Sequence, residues 1–92
     1  MTEAVTNDEQ IAYWNEKAGP KWVAYQEKLD AQIAPFAEEV LDRVGLRAGE
    51  RVLDVGCGCG ATTLAAAERV GAGGGATGVD ISRPMLARAR ER

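Results

Sequence analysis

The sequence predicts an α/β fold in which N-terminal helices precede the first β-α-β-α of a parallel sheet. Ten of the 11 glycines lie at or after Gly45, so the composition changes near the middle of the chain. Apolar residues recur at helical spacing before that point, and short β-rich runs alternate with helical runs after it. We therefore expect a helical lead-in or lid over residues 1–46 and the N-terminal half of an α/β domain over residues 47–92.

The front of the chain predicts a series of helices. Thr6-Asn7-Asp8-Glu9 has the spacing of a capping box, which places a helix start at Thr6. Gly19-Pro20 is expected to interrupt this helix, and apolar residues over 22–33 recur at helical spacing after the break. Pro35 is expected to open a further helical turn, which Gly45 ends.

The rear of the chain alternates strands with helices. Residues 51–55 are short, β-rich and followed by glycines, which predicts a buried strand. Residues 61–70 favour a helix, residues 76–81 favour a second strand, and Ser82 is placed to cap a last helix. This order implies parallel strands joined by a right-handed crossover.

Two parallel strands are too few for an independent sheet, because an isolated pair is marginal in water and leaves open edges. We therefore expect the sheet to be incomplete in this chain. The chain is then either the opening portion of a longer protein or a homo-oligomer that pairs through its open sheet edge.

Composition excludes several classes of protein. The chain has 92 residues, of which 46% are hydrophobic and 27% charged, as in a globular domain. A net charge of −3 disfavours nucleic-acid partners, and no apolar run is long enough for a membrane span. Residues 1–10 are polar and acidic, unlike a signal peptide. We expect a cytoplasmic protein.

A glycine-rich loop between the first strand and the following helix carries the main functional signal. Gly56-Cys57-Gly58-Cys59-Gly60 removes the side chains that would keep a ligand away from the backbone. The helix that follows presents free amides and a positive dipole end to an anionic group. The alternative is that the glycines only make a tight turn, but strand, glycines, helix and second strand occur here in the order of a nucleotide site.

Asp80 ends the second strand and strengthens this interpretation. Its two carboxylate oxygens can accept hydrogen bonds from both hydroxyls of a ribose. The alternative is a solvated loop aspartate. The glycines alone do not identify the nucleoside-containing ligand, because residues 56–61 also fit the G-x-G-x-x-G/A pattern of dinucleotide binders.

Asp54 distinguishes the candidate ligands. A carboxylate two residues before the first glycine would repel a pyrophosphate, but it could hold the ammonium of an amino acid directly or through water. S-adenosylmethionine has an ammonium, a sulfonium, a carboxylate and a ribose, and it has no phosphate. The charge pattern therefore favours S-adenosylmethionine over NAD.

At these residues the chain resembles the class I S-adenosylmethionine-dependent methyltransferases, whose domain is Rossmann-like. Residues 52–60 match the family's first motif, hydrophobic-hydrophobic-D/E-x-G-x-G-x-G, and Gly78-Val79-Asp80-Ile81-Ser82 is similar to its second. The front of the chain, with Tyr13-Trp14-Asn15, is similar to the lead-in helices of small-molecule methyltransferases of the ubiquinone/menaquinone-biosynthesis type.

The resemblance implies a set of cofactor-binding residues. Asp54 would lie under the amino group, and the backbone of the glycine loop would line the methionine portion. Asp80 would bind the ribose, while Ile81 and Met85 would enclose the adenine, unless they only pack in the core. The full set is Asp54, Gly56, Cys57, Gly58, Gly60, Asp80, Ile81 and Met85.

The resemblance also implies what the chain lacks. The family's acceptor site and adenine-recognition loop come from later segments, so we expect a small-molecule acceptor in the complete enzyme, at best weak cofactor binding by this chain, and no catalytic residue in it. A NAD-binding oxidoreductase fragment and a noncatalytic self-associating module are the alternatives.

Two further features are interpreted structurally. Cys57 and Cys59, without any histidine in the chain, cannot complete a tetrahedral zinc site, so no metal is expected. Trp14, Trp22 and Tyr25 could form a lid over the ligand, but their helical spacing favours a packed helix face or an oligomer contact.

Overall fold

The structure is a computed structural model, and it describes residues 6–92. The first five residues of the expected lead-in, and half of the segment judged unlike a signal peptide, lie outside the described residues. Four helical segments come first: α1 (Asp8–Ala12), a π-helical turn (Tyr13–Lys17), α2 (Ala18–Ala24) and α3 (Gln26–Val44). They are followed by β1 (Arg51–Val55), α4 (Ala61–Val70), β2 (Gly75–Val79) and α5 (Arg83–Glu91).

The two strands form a parallel sheet, which confirms the predicted α/β class and its incomplete β-α-β-α order. Arg51 lies beside Gly75, and Val55 lies beside Val79. The second strand ends at Val79 rather than at the predicted residue 81. The Val79 carbonyl accepts hydrogen bonds from the amides of Gly56 at 2.8 Å and Cys57 at 3.0 Å, so the glycine loop closes over the strand end.

The predicted capping box and the first predicted helix break are wrong. The helix begins at Asp8 with Asn7 as its N-cap, and no side chain caps it. Gly19 and Pro20 lie inside α2 rather than between helices. Pro20 fits because it occupies the first turn, where its missing amide removes no helical hydrogen bond.

The predicted break at Pro35 is also wrong, because Pro35 lies inside the 19-residue helix α3. The carbonyl that loses its partner belongs to Ala31, which is exposed like Pro35 itself, so the loss falls on the solvent side of the helix. The predicted end at Gly45 is confirmed. Gly45 adopts a left-handed conformation with φ of +68°, and its amide bonds to the Leu41 carbonyl.

The helices cover the sheet unevenly. Ala66 and Val70 of α4 are buried, and α4 contacts both strands. Leu53 and Val55 of β1 are 63% and 76% exposed, so one face of the sheet is open. No residue of β1 is buried, and the predicted burial of this strand is therefore wrong. No helix within residues 6–92 has the length and apolar character needed to cross a bilayer.

The lead-in helices pack on the α/β part at two places. Arg69 of α4 forms ion pairs with Glu38 and Asp42 of α3, each at 2.7 Å. At the other place, α2 and the π-helical turn contact α5 and the turn that precedes it. These contacts place α3 and the tryptophans opposite the glycine loop.

Candidate functional site

A cleft of about 910 Å³ opens at the carboxyl ends of the two strands. Residues 55–60 and 79–81 form one wall, the first half of α4 extends it, and α3 forms the opposite wall. In open parallel sheets, ligands bind at this end of the strands. The predicted glycine loop and Asp80 therefore lie at the cleft.

Three residues of the glycine loop that line this cleft, Gly56, Gly58 and Gly60, have no side chain. Gly56, Gly58 and Gly60 have φ values of +77°, +55° and +91°, which L-residues rarely adopt. A Cβ on Gly58 would lie 2.8 Å from Cε of Met85, whereas a Cβ on Gly56 would meet no atom within 4 Å. Met85 thus fills the space next to Gly58, whereas the space next to Gly56 is open to a ligand.

Asp80 joins the loop to the end of β2. Its Oδ2 accepts a hydrogen bond from the Gly58 amide, and its Oδ1 accepts one from the Ser82 amide, both at 2.8 Å. A carboxylate has about four acceptor positions. Asp80 lines the cleft, so acceptor capacity remains for a ligand that enters it.

Asp54 is placed differently from the expectation. Its Oδ2 accepts a hydrogen bond of 2.7 Å from Oγ1 of Thr63, at the start of α4. The residue is half-buried on β1 beside Gly78, and it does not belong to the cleft lining. Its negative charge lies near the loop, but the direct contact with an ammonium stays a prediction.

The other predicted residues line the cleft in different degrees. Ile81 is exposed on the cleft wall, and Met85 is buried beneath Gly58. Cys57 and Gly60 also line it. The structure therefore brings seven of the eight predicted cofactor residues to one cavity, with Asp54 outside its lining.

The two cysteines are free thiols. Burial raises the pKa of Cys57, and the carboxylates of Asp80 and Asp54 raise it further. Burial likewise raises the pKa of Cys59, with a smaller effect from Asp30. Both thiols therefore stay protonated near neutral pH, which disfavours nucleophilic or metal-binding roles.

Trp14 and Trp22 line the cleft, although their helical spacing favoured a packed helix face. Their ring centroids lie 6.1 Å apart, with their planes at 64°. Tyr25, with the same helical spacing, is 58% exposed and lies outside the lining. Spacing could not separate Tyr25 from the tryptophans, because Tyr25 lies at the junction of α2 and α3, where its backbone leaves the helical conformation with φ of −107° and ψ of +18°.

The charges around the cleft are mostly negative. Asp30, Glu38, Glu68 and Asp80 line it, against Arg92, and Glu38 is paired with Arg69 of α4. The Arg92 guanidinium is already bound by the Asp30 carboxylate at 2.8 Å and by the Cys59 carbonyl at 2.9 Å. Among the residues that the structure describes, Glu68 and Asp80 are the lining carboxylates without an ion-pair partner, so the lining favours cationic over multiply anionic ligands.

Comparison with known proteins identifies the family. Residues 46–92, just over half of the chain, match a family model described as a methyltransferase domain. The chain belongs to this methyltransferase family. The assignment supports the methyltransferase interpretation over both the nicotinamide-dependent and the noncatalytic alternatives.

Curated relatives of this member of the family are also named as methyltransferases. The chain is 54% identical over 52 residues to the nocamycin O-methyltransferase of Saccharothrix syringae, covering 56% of the chain and 19% of the relative. It is 44% identical over 57 residues to the aklanonic acid methyltransferase DauC of Streptomyces sp. strain C5, covering 62% and 26%.

A third relative is the demethylmenaquinone methyltransferase of Staphylococcus aureus strain MRSA252, 40% identical over 57 residues that cover 62% of the chain and 24% of the relative. The chain thus spans about a fifth to a quarter of the lengths of these three relatives. No solved structure matches the chain.

Proposed function

We propose that the chain provides the S-adenosylmethionine-binding part of a methyltransferase that acts on a small-molecule acceptor. The observation that carries this proposal is the position of Asp80, which is bonded to the Gly58 amide at the wall of a cleft with acidic lining. This arrangement offers a ribose-binding carboxylate, open backbone and a negative field within one cavity.

The residues fit the parts of the proposed cofactor. Asp80 accepts hydrogen bonds from the ribose hydroxyls through the positions that Gly58 and Ser82 leave free. The backbone of residues 56–58 lies along the methionine portion, where Gly56 leaves open space. Ile81 and Met85 enclose the adenine. Gly60 is the N-cap of α4 and shapes the end of the loop.

Charge favours this cofactor over NAD. S-adenosylmethionine carries an ammonium and a sulfonium, whereas NAD carries a diphosphate that Glu68 and Asp80, the two lining carboxylates without an ion-pair partner among the described residues, would repel. Asp54 adds a negative charge close to the loop while its Oδ2 is held by Thr63. We propose that it acts on the ammonium through the local field or through a bridging water.

The remaining wall of the cleft fits an apolar acceptor. Trp14, Trp22, Ile33 and Leu64 line it, and aromatic and aliphatic side chains bind ligands by excluding water. The curated relatives are named after nocamycin, aklanonic acid and demethylmenaquinone. We therefore propose a small, largely apolar molecule as acceptor.

The residues of this chain contribute to methyl transfer by binding and positioning. When bound, S-adenosylmethionine supplies a methyl group that its sulfonium already activates. Asp80 and the glycine loop hold the methyl donor in place, and the apolar wall excludes water from the acceptor. We assign no general base or nucleophile among the described residues.

Isothermal titration of the chain with S-adenosylhomocysteine and with NAD tests the proposal. We expect S-adenosylhomocysteine to bind and NAD to give no detectable heat. Asp80→Asn should weaken S-adenosylhomocysteine about tenfold or more, because it replaces a charged acceptor of the ribose hydroxyls. Glu27→Gln, which removes an exposed charge on α3, is the matched control. Equal binding of NAD, or unchanged binding by Asp80→Asn, would overturn the proposal.

A cytoplasmic location, self-association and the lack of nucleic-acid partners stay predictions.

A further inference from the structure

The π-helical turn is joined to the turn that carries Asp80 by three hydrogen bonds. Nδ2 of Asn15 donates to the Ile81 carbonyl at 2.8 Å, and the Arg83 amide donates to Oδ1 of Asn15 at 2.9 Å. Oγ of Ser82 donates to the Trp14 carbonyl at 2.8 Å. The lead-in segment thus forms hydrogen bonds with the backbone on both sides of Ser82.

The peptide group between Ile81 and Ser82 connects Asn15 to Asp80. Asn15 binds the carbonyl of this peptide, and the amide of the same peptide donates to Oδ1 of Asp80 at 2.8 Å. A peptide group is planar, so fixing the direction of its carbonyl also fixes the direction of its N–H. The Asn15 side chain therefore sets the direction of the N–H that donates to the Asp80 carboxylate.

The Asn15 side chain has one orientation that satisfies its surroundings. Besides the Ile81 carbonyl, Nδ2 donates to the Ile11 carbonyl at 2.7 Å, while Oδ1 accepts from the Arg83 amide. A flipped amide would place Oδ1 against two carbonyls and Nδ2 against an N–H. The side chain is thus fixed by three partners on two segments of the chain.

Ser82 and Gly19 show how closely the two segments approach. Ser82 is fully buried, at 0% exposure. A Cβ on Gly19 would lie 2.5 Å from Oγ of Ser82 and 3.1 Å from Cγ of Pro84. This packing leaves the turn little freedom to reorient once the lead-in is docked.

We propose that Asn15 is a positioning residue, which orients the Asp80 carboxylate through the Ile81–Ser82 peptide and so sets the preference of the cleft for a ligand with free ribose hydroxyls. The inference rests on the proposed function, because it requires that Asp80 binds a ribose. It adds that the helical lead-in, and not only the glycine loop, determines the ribose specificity of the site.

A structural role alone predicts a different outcome. If Asn15 only stabilised the fold, its loss would lower the folded fraction and weaken every ligand by the same factor. A positioning role weakens only those ligands that use the Asp80 carboxylate. The ratio of two affinities measured on one variant therefore separates the roles, because the folded fraction cancels in it.

The experiment compares S-adenosylhomocysteine with its analogue that lacks the 2′ and 3′ hydroxyls. Each is titrated calorimetrically into the 92-residue chain and its variants. For the unsubstituted chain we expect S-adenosylhomocysteine to bind roughly ten- to a hundredfold more tightly than the analogue, as for hydrogen bonds to a charged group. Asn15→Ala should reduce this ratio to about threefold or less.

Two more variants complete the test. Asn15→Asp keeps the side-chain shape and Oδ1 but replaces the Nδ2 donor with an acceptor, so it should also lower the ratio. Its added charge acts equally on the two ligands, which differ only in their hydroxyls. Gln10→Ala, an exposed change on α1, should leave the ratio unchanged.

The possible results separate the two proposals. If the unsubstituted chain discriminates between the ligands and both Asn15 variants keep that ratio, the positioning role is wrong and the proposed function stands. If the unsubstituted chain binds both ligands equally, Asp80 does not bind a ribose, and both proposals fail. A ratio lowered in both Asn15 variants and kept in Gln10→Ala supports the positioning role.

Discussion

The Asp80 carboxylate accepts a hydrogen bond of 2.8 Å from the Gly58 amide, 22 residues earlier in the chain. This bond makes the glycine loop and the end of β2 one unit. The amides of Gly56 and Cys57 reinforce it by binding the Val79 carbonyl. A change in the conformation of the loop should therefore change the position of the Asp80 carboxylate.

Gly58→Ala should destabilise the chain by about 1–2 kcal/mol, because an L-residue is strained at left-handed φ. The new Cβ would also lie 2.8 Å from Cε of Met85, but that flexible side-chain end can shift. Urea unfolding followed by circular dichroism measures the change. Gly73→Ala is the control, since its Cβ meets no atom within 4 Å. Equal stability of the two variants would contradict the strained loop.

Gly19→Ala should be more damaging, by about 2 kcal/mol or more, because its Cβ would overlap backbone rather than a flexible side chain. The clash falls on the Trp14 carbonyl within the lead-in and on Oγ of Ser82 in the β2–α5 turn. The same urea titration, compared with Gly73→Ala, measures it. A loss no greater than that of the control would show that the packing around Gly19 is loose.

Cys57 should make stability depend on pH in the alkaline range. Burial, then Asp80 and Asp54, raise the pKa of its thiol above the ordinary value of 9.0. The folded chain then holds this proton more tightly than the unfolded chain does. The resulting stabilisation is complete below about pH 9 and is lost as pH rises through the folded-state pKa.

Unfolding free energies from pH 7 to 10.5, for the original chain and for Cys57→Ser, check this prediction. We expect the original chain to lose stability more steeply above pH 9, because the serine hydroxyl does not titrate in this range. Other groups titrate equally in both proteins. Parallel curves would mean that the thiol is not held in its protonated form by the fold.

The open face of the sheet should make the isolated chain self-associate. Leu53 and Val55 are 63% and 76% exposed on a strand whose outer edge is unpaired in the described sheet. Light scattering at several concentrations should show a mass that rises with concentration. Leu53→Lys should reduce the rise, whereas Gln32→Lys, the same charge change on exposed α3, should not. A constant monomer mass would refute the prediction.

Much of the α/β part could be predicted from local signals. The observed β1 and α4 have the predicted bounds, because β-rich residues, glycines and a helix-favouring run follow one another sharply. Ser82 caps α5 as predicted, with its Oγ accepting the Met85 amide at 3.4 Å. Here the conformation is set by residues that are neighbours in the sequence.

Other features depend on contacts between distant residues, which no local pattern reports. The π-helical turn presents the Trp14 carbonyl and Asn15 to a turn 68 residues later. Asp54 is held by Thr63 on the following helix rather than directed into the cleft. In each case tertiary structure determines the outcome.

The structure of the chain in complex with S-adenosylhomocysteine tests the central claim most directly. We predict ligand density in the cleft, with both ribose hydroxyls within hydrogen-bond distance of the Asp80 carboxylate and the homocysteine portion along residues 56–58. A ribose bound away from Asp80, or a complex with NAD whose diphosphate lies against the glycine loop, would contradict it.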